Sequence, residues 1–385
     1  MSNSADDEMS DASSLEEYGD SPIDPFLVDH SYLGEDMAVL GSKSAHFVPG
    51  SVVDMPLVVL PDLVIFPGET LPLRMLSTWT LQSMTSRLRH GNDVFAIINT
   101  ERPRHVGTLI QIERVYEQGD MYLSIVGRGR QRFEIIERLH VSHVVSEANA
   151  RIRVLPDLHA IPCPFPTLGT TRRKRPRLTT IAYWGPAEYA QFDGPSLVHQ
   201  AKAILLQSVE WQAFLDASFS SSPSAPLASS PSDPTRFSYW LAGHLTLSLR
   251  DRQRLLAMSC VIGRLRSLIA WLQQHTSLIQ CAGCATTLAD TRDIFLQQDV
   301  DDGGPVSTFV NPHGSIHQIL TMQRVAHSAF WPHGEPTLAD TWFPGYTWQC
   351  IYCRVCANFL GWRYISTIEQ VHPRVFYGLL RKAIN

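Results

Sequence analysis

Between Met55 and Leu76 the chain reads MPLVVLPDLVIFPGETLPLRML, short apolar runs cut by Pro56, Pro61, Pro67 and Pro72. Proline has no N–H to give a ladder, so these runs predict edge strands and turns, not the centre of a parallel sheet. Ser77 is placed to cap a helix on which Leu81, Met84 and Leu88 recur at helical spacing, with Gly91 as its stop. Val94–Asn99, Gly107–Gly129 and Gln131–Glu137 then read as strands, with Gln118-Gly119-Asp120 as a hairpin signal and Gly127-x-Gly129 as a turn. The pattern is that of a small β-rich domain carrying one helix.

From about Pro195 the period changes. Ser196–Leu215 gives one amphipathic helix, Ser218–Pro234 a Ser/Pro-rich loop. Leu247–His275 reads as one long helix, apolar at Leu255, Met258, Ile262, Leu265, Leu268 and Leu272. Cysteine and tryptophan concentrate in the remaining C-terminal third. No repeat of 20–50 residues is present.

Charge changes this picture at two places. The chain of 385 residues has a formal net charge of −5. Residues 1–36 hold eleven acids and no Lys or Arg, which leaves +6 for residues 37–385. The run Arg172-Arg173-Lys174-Arg175-Pro176-Arg177 carries +5 of that, as a solvated loop or a nuclear-localisation signal. The body between is close to neutral, which disfavours a broad nucleic-acid-binding surface. Acidic, Ser-rich residues 1–45 read as a disordered tail. No secretory pattern or membrane-length apolar run is visible, and seven cysteines do not make a disulfide framework, so the expected setting is intracellular and soluble.

The cysteines are the strongest chemical signal. Cys281-x-x-Cys284 and Cys353-x-x-Cys356 are two knuckles separated by 68 residues. Each can present two thiolates to one Zn²⁺, and together they complete a tetrahedral shell with no open position, a structural site. Cys350-x-x-Cys353 overlaps the second knuckle, so Cys350 competes with Cys353 or Cys356 as a ligand. Cys163 and Cys260 are isolated; Cys260 lies on an apolar helix face and reads as a core residue. Trp342-Phe-Pro-Gly-Tyr-Thr-Trp348 and Gly361-Trp362-Arg363-Tyr364 bracket that knuckle. Any one Trp is a core aromatic by default, but Pro344-Gly345 turns two indoles to one side and Trp362 follows on the next strand. Three indole faces around one space suit a small ring or a cation.

With these residues in view a resemblance becomes specific. Phe309-Val-Asn-Pro-His-Gly-Ser-Ile-His317, the two tryptophan motifs and Cys353-Arg-Val-Cys356 resemble the C-terminal thalidomide-binding (CULT) domain of the cereblon family. Leu60–Leu73 and Ile125–Glu137 are similar to the Lon N-terminal domain. The resemblance covers about residues 50–385 and implies a multidomain α+β protein. Its parts are a Lon N-terminal-like β-rich domain over 46–182, a helical segment over 183–275 and a zinc-bound all-β CULT domain over 276–385.

Carried over by position, the resemblance implies that Cys281, Cys284, Cys353 and Cys356 hold one structural Zn²⁺, the offset from Gly361-Trp362 favouring Cys353 over Cys350. It implies a ligand cage of Trp342, Trp348 and Trp362, with Tyr364 at the wall where the family more often has Phe. Asn311, Pro312 and His313 form the rim. Asp340 stands where the family usually carries His. The implied ligand is a cyclic imide, a small glutarimide or a degron on a protein substrate, whose N–H and carbonyl pair with backbone near Asp340 and Trp342. Leaving such buried polar atoms unpaired costs about 1–3 kcal/mol, which disfavours rings lacking the imide. A carboxylate at 340 facing inward would instead suit a methylated ammonium. The implied partner is the β-propeller adaptor of a type-4 cullin–RING ubiquitin ligase, docked on the helical segment, with the protein in cytoplasm and nucleus.

Other classes are weaker. An ATP-dependent protease needs a G-x-x-x-x-G-K-[ST] loop, and there is none. A zinc-bound methionine sulfoxide reductase needs a nucleophilic cysteine, for which Cys350 is the one candidate. The expectation is a non-catalytic substrate receptor.

Overall fold

The computed structural model of the chain describes residues 27–28, 30–34, 36–41, 46–76, 78–99, 105–118, 121–139, 148–159, 189–207, 231–274, 278–294, 298–299, 306–369 and 371–385. The basic run at 172–177, Cys163, the tip of the 118–120 hairpin and most of the Ser/Pro loop lie outside the described residues.

The first half is a barrel-like sheet. Strands β1 (Leu27–Val28) and β2 (Ala38–Val39) precede β3 (Val52–Val59), β4 (Thr70–Met75), helix α1 (Thr78–Arg89), β5 (Val94–Ile98), β6 (Val106–Gln118), β7 (Tyr122–Leu139) and β8 (Ala148–Val154). The order β2-β6-β5-β3-β8-β7-β4, with a further pairing of β6 and β7, closes five of these strands into a ring. Closure removes exposed edges. All pairings in this sheet are antiparallel except β3 with β5. Apolar residues of β5, β6 and β7 are fully buried on both faces of the sheet: Phe95, Ile110, Ile112 and Ile125 share one core cluster, and Phe133 packs in another with Leu109. Helix α1 closes one end with Leu81 and Met84 buried, on the face the spacing predicts.

Three sequence expectations fail here. Pro56 lies in a strand with neighbours on both sides, not at an edge; the β5 pairing begins only at Leu57, so the missing N–H of Pro56 falls beyond that ladder. Gly127 and Gly129 do not make a turn; both sit inside the 18-residue β7. They are required by close approach, since a Cβ at Gly129 would lie 2.4 Å from the Phe66 carbonyl oxygen and one at Gly127 2.5 Å from Ile110. Residues 30–34 and 36–40 are not a free tail. Leu33 is buried with Val126 and Val310, and β2 pairs with β6. Sparse apolar residues among acids look solvated until a sheet edge is there to take them.

Among the described residues four helices follow: α2 (Gly194–Leu205), α3 (Pro234–His244), α4 (Leu249–Ala257) and α5 (Val261–Gln274). The long helix expected over 247–275 is two, broken at Met258–Cys260. Leu158 inserts there, donating its N–H to Ser259 O at 2.8 Å and accepting that of Val261 at 3.0 Å. The start of helix α3 carries a local signal: Asp233 accepts the Arg236 N–H at 2.9 Å and Pro234 occupies the first turn. The helices share one core with Val64 and Phe66 of the barrel, so they are an intramolecular layer upon it. Arg252 of α4 ties the two: its Nη2 lies 2.8 Å from both Glu69 carboxylate oxygens and 2.7 Å from Val64 O.

The C-terminal part starts with the hairpin β9 (Leu278–Gln280) and β10 (Thr287–Asp290), then β11 (Gln298–Asp299), which pairs in parallel with β1. A six-stranded antiparallel sheet follows: β12 (Val306–Val310), β13 (Ile316–Met322), β14 (Phe330–Thr337), β15 (Tyr346–Cys353), β16 (Phe359–Ser366) and β17 (Val375–Leu380), in the order β12-β13-β17-β16-β15-β14. Its core gathers Phe309, Phe330, Phe343, Tyr346, Tyr364 and Phe376. A β-rich first half, a helical layer and an all-β end with a cysteine cluster make the expected fold class.

A zinc centre and an indole pair on one sheet

The two cysteine knuckles have the same local geometry. Ala285 donates its N–H to Cys281 O at 2.8 Å, and Ala357 donates to Cys353 O at 2.9 Å. Both alanines, each one residue past the second cysteine, hold left-handed backbone, φ 57° and 55°. That reversal swings the second sulfur of each knuckle back over the first. The sulfurs of Cys281, Cys284, Cys353 and Cys356 all lie within 4.8 Å of one another, with Cys281–Cys356 at 3.6 Å and Cys284–Cys353 at 3.5 Å. Bonds of about 2.3 Å to a tetrahedral Zn²⁺ give sulfur–sulfur edges of about 3.8 Å, so the donor set fits one structural zinc. Gly283 leaves room for it: a Cβ there would stand 3.2 Å from Cys356 Sγ. The Asn358 amide points a nitrogen at Cys281 Sγ from 3.8 Å, which softens the negative charge of the thiolate shell.

Cys350 is not in the cluster. It pairs across the sheet with His333 on one side and Trp362 on the other. Burial pushes its thiol up from the ordinary cysteine value, away from the thiolate that a nucleophile needs. Both of its proposed roles, ligand and nucleophile, lose support. Cys260, expected as a core residue on an apolar helix face, is half-buried at the α4–α5 break.

The same strands carry the aromatic residues. Trp348 on β15 faces Tyr364 on β16, and Cys350 faces Trp362, so alternation puts Trp348, Trp362 and Tyr364 on one face. Trp342 comes from the β14–β15 connection. Its indole N–H donates to Val310 O at 3.1 Å, and its ring stacks on Phe309 with centroids 5.0 Å apart. Trp362 meets it at a right angle, 4.9 Å and 76°. The Trp348 indole N–H donates to Ala339 O at 2.7 Å, tying it to the loop that leads to Trp342. The Pro344-Gly345 turn is present, closed by the Tyr346 N–H on Phe343 O at 3.1 Å, with Gly345 at φ 81°.

Tyr364 differs from its expected place at a pocket wall. It is 1% exposed, stacked on Phe376 at 4.8 Å with Phe343 edge-on at 4.6 Å, so it is a core residue. Asp340 is exposed on left-handed backbone, φ 53°. Asn311, Pro312 and His313 form the β12–β13 turn. Asn311 Oδ1 accepts the Ser315 N–H at 2.8 Å, and His313 is exposed. The turn leans on the barrel, for a Cβ at Gly314 would lie 3.0 Å from Arg74 O.

One residue was missed. His317, two residues into the next strand, touches both indoles, 5.6 Å from Trp342 and 5.3 Å from Trp362. Burial and the nearby Lys382 ammonium hold its imidazole below the ordinary value, hence neutral near pH 7. It closes the Asn-Pro-His-Gly motif in the sequence, but no local signal aims it at the tryptophans.

Residues 54–274 match the family described as the ATP-dependent protease La (LON) substrate-binding domain, more than half of the chain. The chain belongs to that family. Residues 277–385 match a second family, Yippee zinc-binding/DNA-binding/Mis18, centromere assembly. Among curated relatives, the protein cereblon of Gallus gallus is 28% identical over 389 residues, 92% of this chain and 82% of that protein. That of Danio rerio is also 28% identical, over 92% and 85% of the two chains; that of Drosophila melanogaster is 26% identical, over 92% and 61%. A solved structure, the N-terminal domain of a Mycobacterium avium complex Lon protease, overlaps 58% of this family member at 16% identity and TM-score 0.40, too loosely to add to the family match. A Lon substrate-binding module joined to a zinc-binding aromatic module, with cereblons as relatives, supports a cereblon-type substrate receptor. Among the described residues no helix is long and apolar enough to cross a membrane.

Proposed function

We propose that the chain is the substrate-recognition subunit of a cullin–RING ubiquitin ligase. In this reading the tryptophan face receives a cyclic imide, free or at the end of a protein substrate. The single observation behind it is the near-perpendicular, edge-to-face meeting of Trp342 and Trp362, a corner of indole carbon, with Trp348 on the same sheet face. The indole N–H groups of Trp342 and Trp348 are already spent on Val310 and Ala339 carbonyls, so polar recognition falls to backbone of the 339–342 loop. Zinc at the four cysteines fixes the end of β15 and the start of β16, the strands that carry Trp348 and Trp362. Catalysis belongs to the partner complex, the β-propeller adaptor docking on the helical layer, and the complex works in cytoplasm and nucleus.

Tryptophan emission of zinc-loaded protein tests the pocket directly. Glutarimide should quench it saturably, N-methylglutarimide should fail, and Trp362→Ala should abolish the response. No change at millimolar glutarimide defeats the assignment. Tetramethylammonium quenching in place of glutarimide would favour a cationic ligand, drawn by the Asp340 carboxylate. Pull-down of the intact chain from cell extract tests the ligase adaptor separately.

A further inference from the structure

A cavity of about 260 Å³ opens where the three parts of the chain meet. The barrel contributes the turn after β3, with Leu60, Asp62 and Leu63. The helical layer contributes Leu249 and Arg252, and the C-terminal part contributes Ile316, His317, Leu380, Arg381 and Lys382. The cavity is thus mixed, with leucines and an isoleucine beside polar and charged side chains.

Its charges do not balance. Arg252 is buried and neutralised by Glu69 at 2.8 Å, although its Nε has no hydrogen-bond partner. Arg381, also buried, spends its guanidinium on the backbone carbonyls of Gly243, Leu245 and Leu247, with no carboxylate bonded to it. Lys382 is exposed at the mouth, and Asp62 is the one carboxylate among the lining residues. Two ammonium or guanidinium charges therefore face one carboxylate once the Arg252–Glu69 pair is set aside. Glu69 also acts on Arg381 but is already bonded to Arg252, so two buried guanidiniums share one carboxylate, and an anion entering here would offset that excess.

We propose that this junction is a binding site for a small organic carboxylate, its charge toward Arg381 and Lys382 and its apolar body against the leucines. The volume suits a body the size of a benzene ring with a short polar head, since a cavity of about 150 Å³ already accepts benzene. His317 is a wall of this cavity and touches both indoles on its other side, so an occupant sits one side chain from the aromatic site.

Calorimetric titration of the full zinc-loaded chain decides it, whatever binds at the tryptophans. Benzoate should bind saturably with one site per chain, and benzamide, its neutral isostere, at least tenfold more weakly. Inorganic phosphate, charged but without an apolar body, should also bind more weakly. Lys382→Glu should weaken benzoate at least tenfold, while Arg324→Glu, outside the cavity, should leave it unchanged. Lys382 is exposed, so the variant is expected to fold, and its zinc content checks that it has. Equal affinity for benzoate and benzamide, indifference to Lys382→Glu, or no binding at about 10 mM would overturn the proposal.

Discussion

Asp157 is the residue whose loss should cost the fold most per atom removed. Its Oδ1 lies 3.0 Å from Arg132 Nη2 and 3.1 Å from Arg264 Nη2, and both arginine side chains are fully buried. Tyr239 donates its hydroxyl to the same oxygen at 2.5 Å, and the Arg264 guanidinium lies 3.9 Å over the Tyr239 ring. One carboxylate thus joins barrel strand β7, helix α3 and helix α5. Asp157→Asn keeps the shape and removes the charge, leaving two buried guanidiniums with no counter-ion. Breaking a buried pair costs about 3–5 kcal/mol. The arginines keep carbonyl acceptors, Arg132 on Leu256 and Pro156 and Arg264 on Met258, and the Asp157 side chain is 26% exposed, so the lower end applies. A loss of about 3 kcal/mol lowers the melting temperature of a unit this size by about 6–12 °C. Calorimetry on zinc-loaded protein measures it. Arg132→Met with Arg264→Met and Asp157→Leu should recover most of the loss, because an apolar replacement of the whole cluster removes the stranded charge. A shift below about 1 °C for Asp157→Asn would refute the reasoning, by showing that solvent or backbone already screens the pair.

Chelation of zinc should unfold the knuckles first and shift tryptophan emission to the red, reversibly on adding Zn²⁺; emission unchanged with metal removed would detach the indole face from the zinc centre. Ala285→Gly and Ala357→Gly should each stabilise the zinc-loaded protein by about 1 kcal/mol, since both alanines sit at positive φ; melting temperature reads this, and a decrease would show that the methyl groups pack. His317 has a folded-state value below the ordinary 6.5, so the unfolded chain binds a proton the native state refuses. Its contribution is therefore fully present above about pH 6.5 and is lost as pH falls toward the lowered value. His317→Gln should flatten the stability profile over that window, and an unchanged profile would remove His317 as its source.

How much was legible depends on how local each determinant is. The zinc ligands were readable because a C-x-x-C knuckle closes within six residues, and the left-handed alanine that completes it follows directly. What remained open was Cys350 against Cys353, a question of which sulfur ends a strand and which lies across from Trp362. The tryptophans were readable as a group, but their roles were not. Tyr364 is a core residue and not a wall because Phe376, on a neighbouring strand, and Phe343, on the β14–β15 connection, enclose it. His317 joined the site because β13 runs past the β14–β15 loop, which no spacing in its own segment reveals.

The fold shows the same division. Helix α1 followed from periodicity, whose energetic basis is a single buried face, and strand β5 from an unbroken apolar run that is buried on both faces. Gly127 and Gly129 were misread because their need for no Cβ comes from Ile110 and Phe66, distant in the chain. The break between α4 and α5 has no proline or glycine to announce it; Leu158 makes it by offering hydrogen bonds from outside. Sequence alone determined the chemistry carried: four thiolates for one metal, an indole-rich sheet and a near-neutral body between charged stretches. Tertiary structure decided which side chains share a space, including the arginines that share Asp157 and the histidine between the indoles and the junction cavity. The reason is range, since backbone propensity and knuckle geometry act over a few residues, while burial and charge compensation act on whatever the fold brings within about 4 Å.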